Sequence, residues 1–111
     1  MAKKYGKLVR DKIPNIIRRN GEDPITRTLS PAEHKKYLLD KIVEEAEEIR
    51  KAASSNEALM EIADLYQAAS DFARLSGISR KKIRHAIKTR RNERGGFRKG
   101  IFLKEVKKIG K

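Results

Sequence analysis

The chain has 111 residues, and 28 Lys and Arg against 15 Asp and Glu leave it at +13, which leaves room for one small basic domain and little room for two independent cores. Without cysteine there is no disulfide framework, no thiolate zinc site and no cysteine nucleophile, so a metal must be held by oxygen or by His34 and His85. An apolar fraction of 38% against 39% charged gives a thin core, and a homo-oligomer that completes it is expected. The start, Met1-Ala2-Lys3-Lys4-Tyr5, is basic but lacks an apolar run of signal-peptide length, and no stretch of about 20 apolar residues occurs, so a soluble cytoplasmic protein is expected, with no membrane partner.

In chain order, Leu8-Val9-Arg10-Asp11-Lys12-Ile13 reads as a short N-terminal arm. Pro14 then opens a short helix through Arg19 that Asn20-Gly21 ends, and residues 22 to 29 read as loop. Ser30-Pro31-Ala32-Glu33 is a strong helix start: Ser30 caps, Pro31 suits the first turn and Glu33 completes a capping box. Leu38, Leu39, Ile42, Val43, Ala46 and Ile49 follow at helical spacing as one broad apolar stripe, to about Ala53. Ser54 and Glu57 form a second capping box ahead of Leu59, Ile62, Ala63, Leu65, Tyr66, Ala69, Phe72 and Ala73, a helix that stops at Gly77. Ser79 caps a third long helix, Arg80 to about Arg91, with few apolar positions and a basic surface, and Gly95-Gly96 is its terminating turn. Ile101-Phe102-Leu103 is either a short strand or an extended tail. The fold class is all-α: a helix bundle with a short N-terminal arm and an extended C-terminal tail.

Charge is unevenly spread. Residues 1–30 carry +5, residues 31–64 carry −4 and residues 65–111 carry +12. An acidic middle within a basic chain suits a cation at the centre and an anion at the flanks. At about 100° per residue, Glu45 and Glu48 lie about 60° apart, with Glu45 at the border of its apolar stripe and Glu44 just beyond Glu48. Glu47 points away, to solvent. On the next long helix Glu61 stands at the edge of the apolar face and Asp64 about 60° farther round. Two antiparallel helices therefore present two carboxylate pairs to each other, an arrangement whose repulsion and lost hydration suggest a bound cation. An all-oxygen, carboxylate-rich site suits Mg²⁺, with Mn²⁺ as a substitute.

The segments Leu8-Val9-Arg10-Asp11-Lys12-Ile13-Pro14, Glu44-Glu45-Ala46-Glu47-Glu48, Glu61-Ile62-Ala63-Asp64 and Lys88-Thr89-Arg90-Arg91-Asn92-Glu93-Arg94-Gly95-Gly96-Phe97 together resemble the MazG-like all-α nucleoside triphosphate pyrophosphohydrolases. The resemblance runs through nearly the whole chain, residues 1–111 as a single MazG-like domain. It looks closest to the small single-domain branch related to phosphoribosyl-ATP pyrophosphohydrolase, often described as house-cleaning enzymes. The interval between the acidic motifs, residues 49 to 60, is at the short end for such proteins. The strong positive charge is not something the resemblance requires.

The resemblance implies Mg²⁺-dependent hydrolysis of a nucleoside triphosphate to the monophosphate and pyrophosphate, with water as nucleophile. It makes Glu45, Glu48, Glu61 and Asp64 metal ligands, and either Glu44 or Glu45 the acceptor of the water proton. Lys88, Arg91 and Arg94 fall on the family's basic motif and would take the phosphate chain, helped by Arg10 and Lys12 from the arm. Tyr66 and Phe72 read first as core residues, with stacking against a nucleobase as the alternative, and His34 and His85 as surface or packing residues rather than zinc ligands. Asp71 either extends the acidic site or is a surface acid. A different class also fits the charge: a basic helical module that binds nucleic acid without catalysis. A phosphoribosyl-ATP pyrophosphohydrolase and a catalytically silent nucleotide sensor are the further readings.

Overall fold

Each long helix begins where the sequence supplies a side chain for its free amides. In this computed structural model, which describes residues 2, 3 and 5–110, four helices are present: α1 (Ile13–Arg19), α2 (Pro31–Lys51), α3 (Ser55–Leu75) and α4 (Arg80–Arg94). Met1, Lys4 and Lys111 lie outside the described residues, two of them in the basic N-terminal start. Among the described residues there is no strand, so the fold is all-α, and residues 101–103 belong to an irregular tail rather than a strand. No helix is long and apolar enough to cross a membrane among the described residues.

The chain divides into two compact units, Met1–Ile78 and Ser79–Lys111. The first is organised by α2 and α3, each 21 residues and so about 30 Å long. Residues 52–54 turn the chain between them, and the two helices form the extensive helix–helix interface of this unit.

Ser30 Oγ accepts the Glu33 amide while Glu33 Oε1 accepts the Ser30 amide, the reciprocal box expected. Arg27 adds a two-pronged ion pair to the Glu33 carboxylate. That pair and the Ser30 amide hold the Glu33 pKa down, to about 2. At α3 the box is shifted by one residue: Ser54 Oγ accepts from the Glu57 amide, but Glu57 reaches past Ser54 to the Ala53 amide at 2.9 Å. After α3, Gly77 takes φ +74, a left-handed value that lets Ile78 donate back to the Ala73 carbonyl.

The hairpin buries less than the apolar pattern foretells. Leu38, Ala68 and Ala73 are the buried apolar residues, whereas Leu39, Val43, Ala46, Leu59, Met60 and Tyr66 are exposed. Tyr66 is thus a surface residue rather than the core residue expected from spacing, while Phe72 is half-buried. The cause is geometric: a helix of a two-helix hairpin covers one seam on its neighbour, and a wider apolar face keeps its flank in solvent.

In the second unit, Ser79 Oγ accepts from the Lys82 amide at the start of α4. The helix runs three residues past its expected end, to Arg94, where Gly95 caps it at φ +80. All residues from 90 through 110 are exposed.

Candidate metal centre

The hairpin brings carboxylates from both of its helices together. Glu45 comes from the middle of α2, and Glu61 and Asp64 from neighbouring turns of α3. One carboxylate oxygen of each lies within 4.8 Å of the others, a spacing at which one small cation reaches all three.

Glu45 is the buried member, 4% exposed and the only buried charged residue among those described. Its Oε1 lies 3.4 Å from Lys41 Nζ, one helical turn earlier, while its Oε2 is buried with no hydrogen-bond partner. An ionised carboxylate oxygen in that position is costly unless a cation or a proton serves it.

Glu61, across the hairpin, responds to the same crowding of acids. A hydrogen bond to Glu45, which only a protonated Glu61 can donate, pushes the Glu61 pKa up to about 7, and lost hydration with the charges of Glu45, Asp64 and Glu48 adds to the shift. A carboxyl that its acidic neighbours hold partly protonated is one whose charge a divalent ion would stabilise. The donors are hard oxygens without sulfur or imidazole among them, so the set fits Mg²⁺, or Mn²⁺ in its place.

The remaining residues singled out by sequence take varied positions. Glu48 is exposed beside Glu61, and both line an open recess with Lys51, Ala52 and Glu57. Glu48 is outside the group of three closely spaced carboxylates. Glu44 is exposed and 3.8 Å from Lys41 Nζ. Glu47 faces solvent as its angle requires and pairs with Arg50 on its own helix. Asp71 bonds within α3, accepting from Gln67 and pairing loosely with Arg74, so it does not join the cluster.

Arg10 is not a freely solvated side chain: its guanidinium meets Asp64 Oδ1 at 2.5 Å. Lys12 is the exposed N-cap of α1. Lys88, Arg91 and Arg94 are all exposed on α4, in the second unit, with Arg91 and Arg94 in its last turn.

Sequence reasoning passed over Lys41, the cation beside Glu45. Its signal was present: a lysine three and four residues ahead of Glu44 and Glu45 stands over both on a helix.

An all-α fold, without a strand among the described residues, with Glu-x-x-Glu opposite Glu-x-x-Asp on its hairpin, agrees with the superfamily to which the matching family model belongs, the MazG-like all-α nucleoside triphosphate pyrophosphohydrolases. Within it, the family model for phosphoribosyl-ATP pyrophosphohydrolase matches residues 9–91, and the chain belongs to that family. A protein of Mycolicibacterium smegmatis described as uncharacterized is 46% identical over 52 residues, 47% of this chain and 53% of that relative. The chain thus matches about half the length of that relative. No solved structure matches.

Proposed function

We propose that this protein is a Mg²⁺-dependent nucleoside triphosphate pyrophosphohydrolase, cleaving between the α and β phosphates to give a nucleoside monophosphate and pyrophosphate. The carrying observation is the carboxylate triad of Glu45, Glu61 and Asp64 across the α2–α3 hairpin, with the orphaned Glu45 Oε2 in it. Family membership supports the reaction class, because the family's chemistry is of the pyrophosphohydrolase type.

Glu45, Glu61 and Asp64 would hold the ion, with Glu48 at its rim. Mg²⁺, when bound, neutralises phosphate oxygens and polarises water. Glu44, exposed one residue from the buried ligand, is the freer carboxylate and the better acceptor of the proton from the attacking water. Lys88, Arg91 and Arg94 would take the phosphates and the charge that develops on leaving pyrophosphate. The family match crosses from the first unit into α4, which supports treating residues 1–111 as one functional domain.

The same reading includes a homo-oligomer. Leu39, Val43, Leu59, Met60 and Tyr66 on the hairpin are between 47% and 72% exposed, an apolar surface suited to a second copy of the chain.

A panel of ordinary and noncanonical nucleoside triphosphates, together with phosphoribosyl-ATP, assayed for pyrophosphate release with Mg²⁺ and with chelator, tests the proposal. Turnover that needs the metal and disappears in Asp64→Ala supports it. The charge of the second unit, fourteen basic and two acidic residues, favours one competing outcome. Tight DNA or RNA binding that weakens steeply with salt, without turnover of any substrate, would replace the enzyme with a nucleic-acid-binding module.

A further inference from the structure

The Arg10–Asp64 pair does two things at once. It is the single polar contact, side chain or backbone, between residues 2–20 and the α2–α3 hairpin among the described residues. Residues 8–10 belong to no regular element, and α1 forms no extensive interface with either long helix. Among the described residues the arm's polar tie to the hairpin is therefore this one charged contact, beside the partly buried apolar side chains of Leu8, Ile13 and Ile17. Its partners are open to water, with side chains 59% exposed at Arg10 and 36% at Asp64.

The same Asp64 is one corner of the carboxylate triad, whose buried member Glu45 has an oxygen that no protein donor reaches. A guanidinium and a divalent ion thus compete for one carboxylate. Two cations on one carboxylate repel each other, and the exposed Arg10–Asp64 pair is the weaker partner to give way. Lys41, the cation 3.4 Å from Glu45, comes from the same helix as its partner, so its pairing ties no other segment to the hairpin.

We propose that Arg10 is the counter-cation of Asp64 until a divalent ion enters the triad, and that the ion displaces its guanidinium and releases the N-terminal arm from the hairpin. The inference rests on the metal-site reading above. Displacement orders the binding events: the ion arrives first, and the freed guanidinium, a planar fork suited to phosphate oxygens, becomes available to the nucleotide afterwards. Arg10 then links metal loading to phosphate capture.

Mn²⁺ titration by calorimetry, without nucleotide, on the full chain and on Arg10→Gln provides the test, alongside hydrogen exchange of residues 5–13 in the wild type with and without saturating Mn²⁺. Removing the competitor should tighten Mn²⁺ binding roughly two- to five-fold, the range set by one exposed ion pair. Exchange in the arm of the wild type should accelerate when Mn²⁺ is added. An Arg10→Gln affinity equal to or weaker than wild type overturns the inference and leaves the metal site standing, because Arg10 then supports Asp64 from behind. Arm exchange unchanged by saturating Mn²⁺ overturns it equally, with no variant needed. Absence of Mn²⁺ binding in the wild type overturns both this inference and the metal-site reading.

Discussion

Because Glu45 and the neighbouring acids hold the Glu61 pKa up at about 7, a cation bound by Glu61 must expel its proton. Taking the bound-state pKa as well below the ordinary value, about 0.9 of a proton should leave per ion at pH 6 and about 0.1 at pH 8. Apparent affinity for Mg²⁺ should then rise about tenfold per pH unit up to about 7 and level off above it. The assay is calorimetric titration in two buffers of different ionisation enthalpy at each pH, where the difference in observed heat counts the protons. Glu61→Gln removes the titrating group and should abolish the difference at pH 6. Equal proton release at pH 6 and pH 8, or release that persists in Glu61→Gln, would refute the assignment of the released proton to Glu61.

Stability should follow the same groups with opposite signs. Without added cation, the raised Glu61 pKa favours folding while the acid is protonated, so the melting temperature should fall as pH rises from about 4.5 to about 7 and change little above that. Glu33, held down to about 2 by Arg27 and the Ser30 amide, contributes stability above its ordinary value that is lost as pH falls toward 2. Thermal melts across pH check both limbs, and saturating Mg²⁺ should reverse the upper one. Ser30→Ala should cost about 1 kcal/mol in a urea titration by removing the α2 cap. Asp64→Asn should lower pyrophosphate release at least about 100-fold with the helical circular dichroism unchanged. Val43→Glu, on a side chain 65% exposed, should leave the fold intact and shift the oligomer toward monomer in size-exclusion light scattering.

The helices were legible because their determinants are local. Ser30, Ser54 and Ser79 each place a hydroxyl where free amides need an acceptor, and Gly95 permits the backbone turn that ends α4. Angle brings Glu45, Glu61 and Asp64 to facing sides of the hairpin, but it groups Glu48 with them as well, and Glu48 lies outside the closely spaced three.

What the sequence did not disclose depends on distant geometry. Arg10 meets Asp64 across 54 positions of chain, a pairing that no local period encodes. Periodicity marks Tyr66, Val43 and Leu39 as apolar-face residues, but it cannot say how wide a seam the neighbouring helix covers, and these three fall outside it. Lys41 escaped notice for a different reason: a basic residue among many draws attention only when the acid it serves proves to be buried.

Diffraction at the manganese absorption edge from crystals grown with Mn²⁺ tests the central claim most directly. The account predicts one anomalous peak at about 2.0–2.4 Å from carboxylate oxygens of Glu45, Glu61 and Asp64. A peak elsewhere on the molecule, or none while the three side chains keep their present spacing, would contradict it.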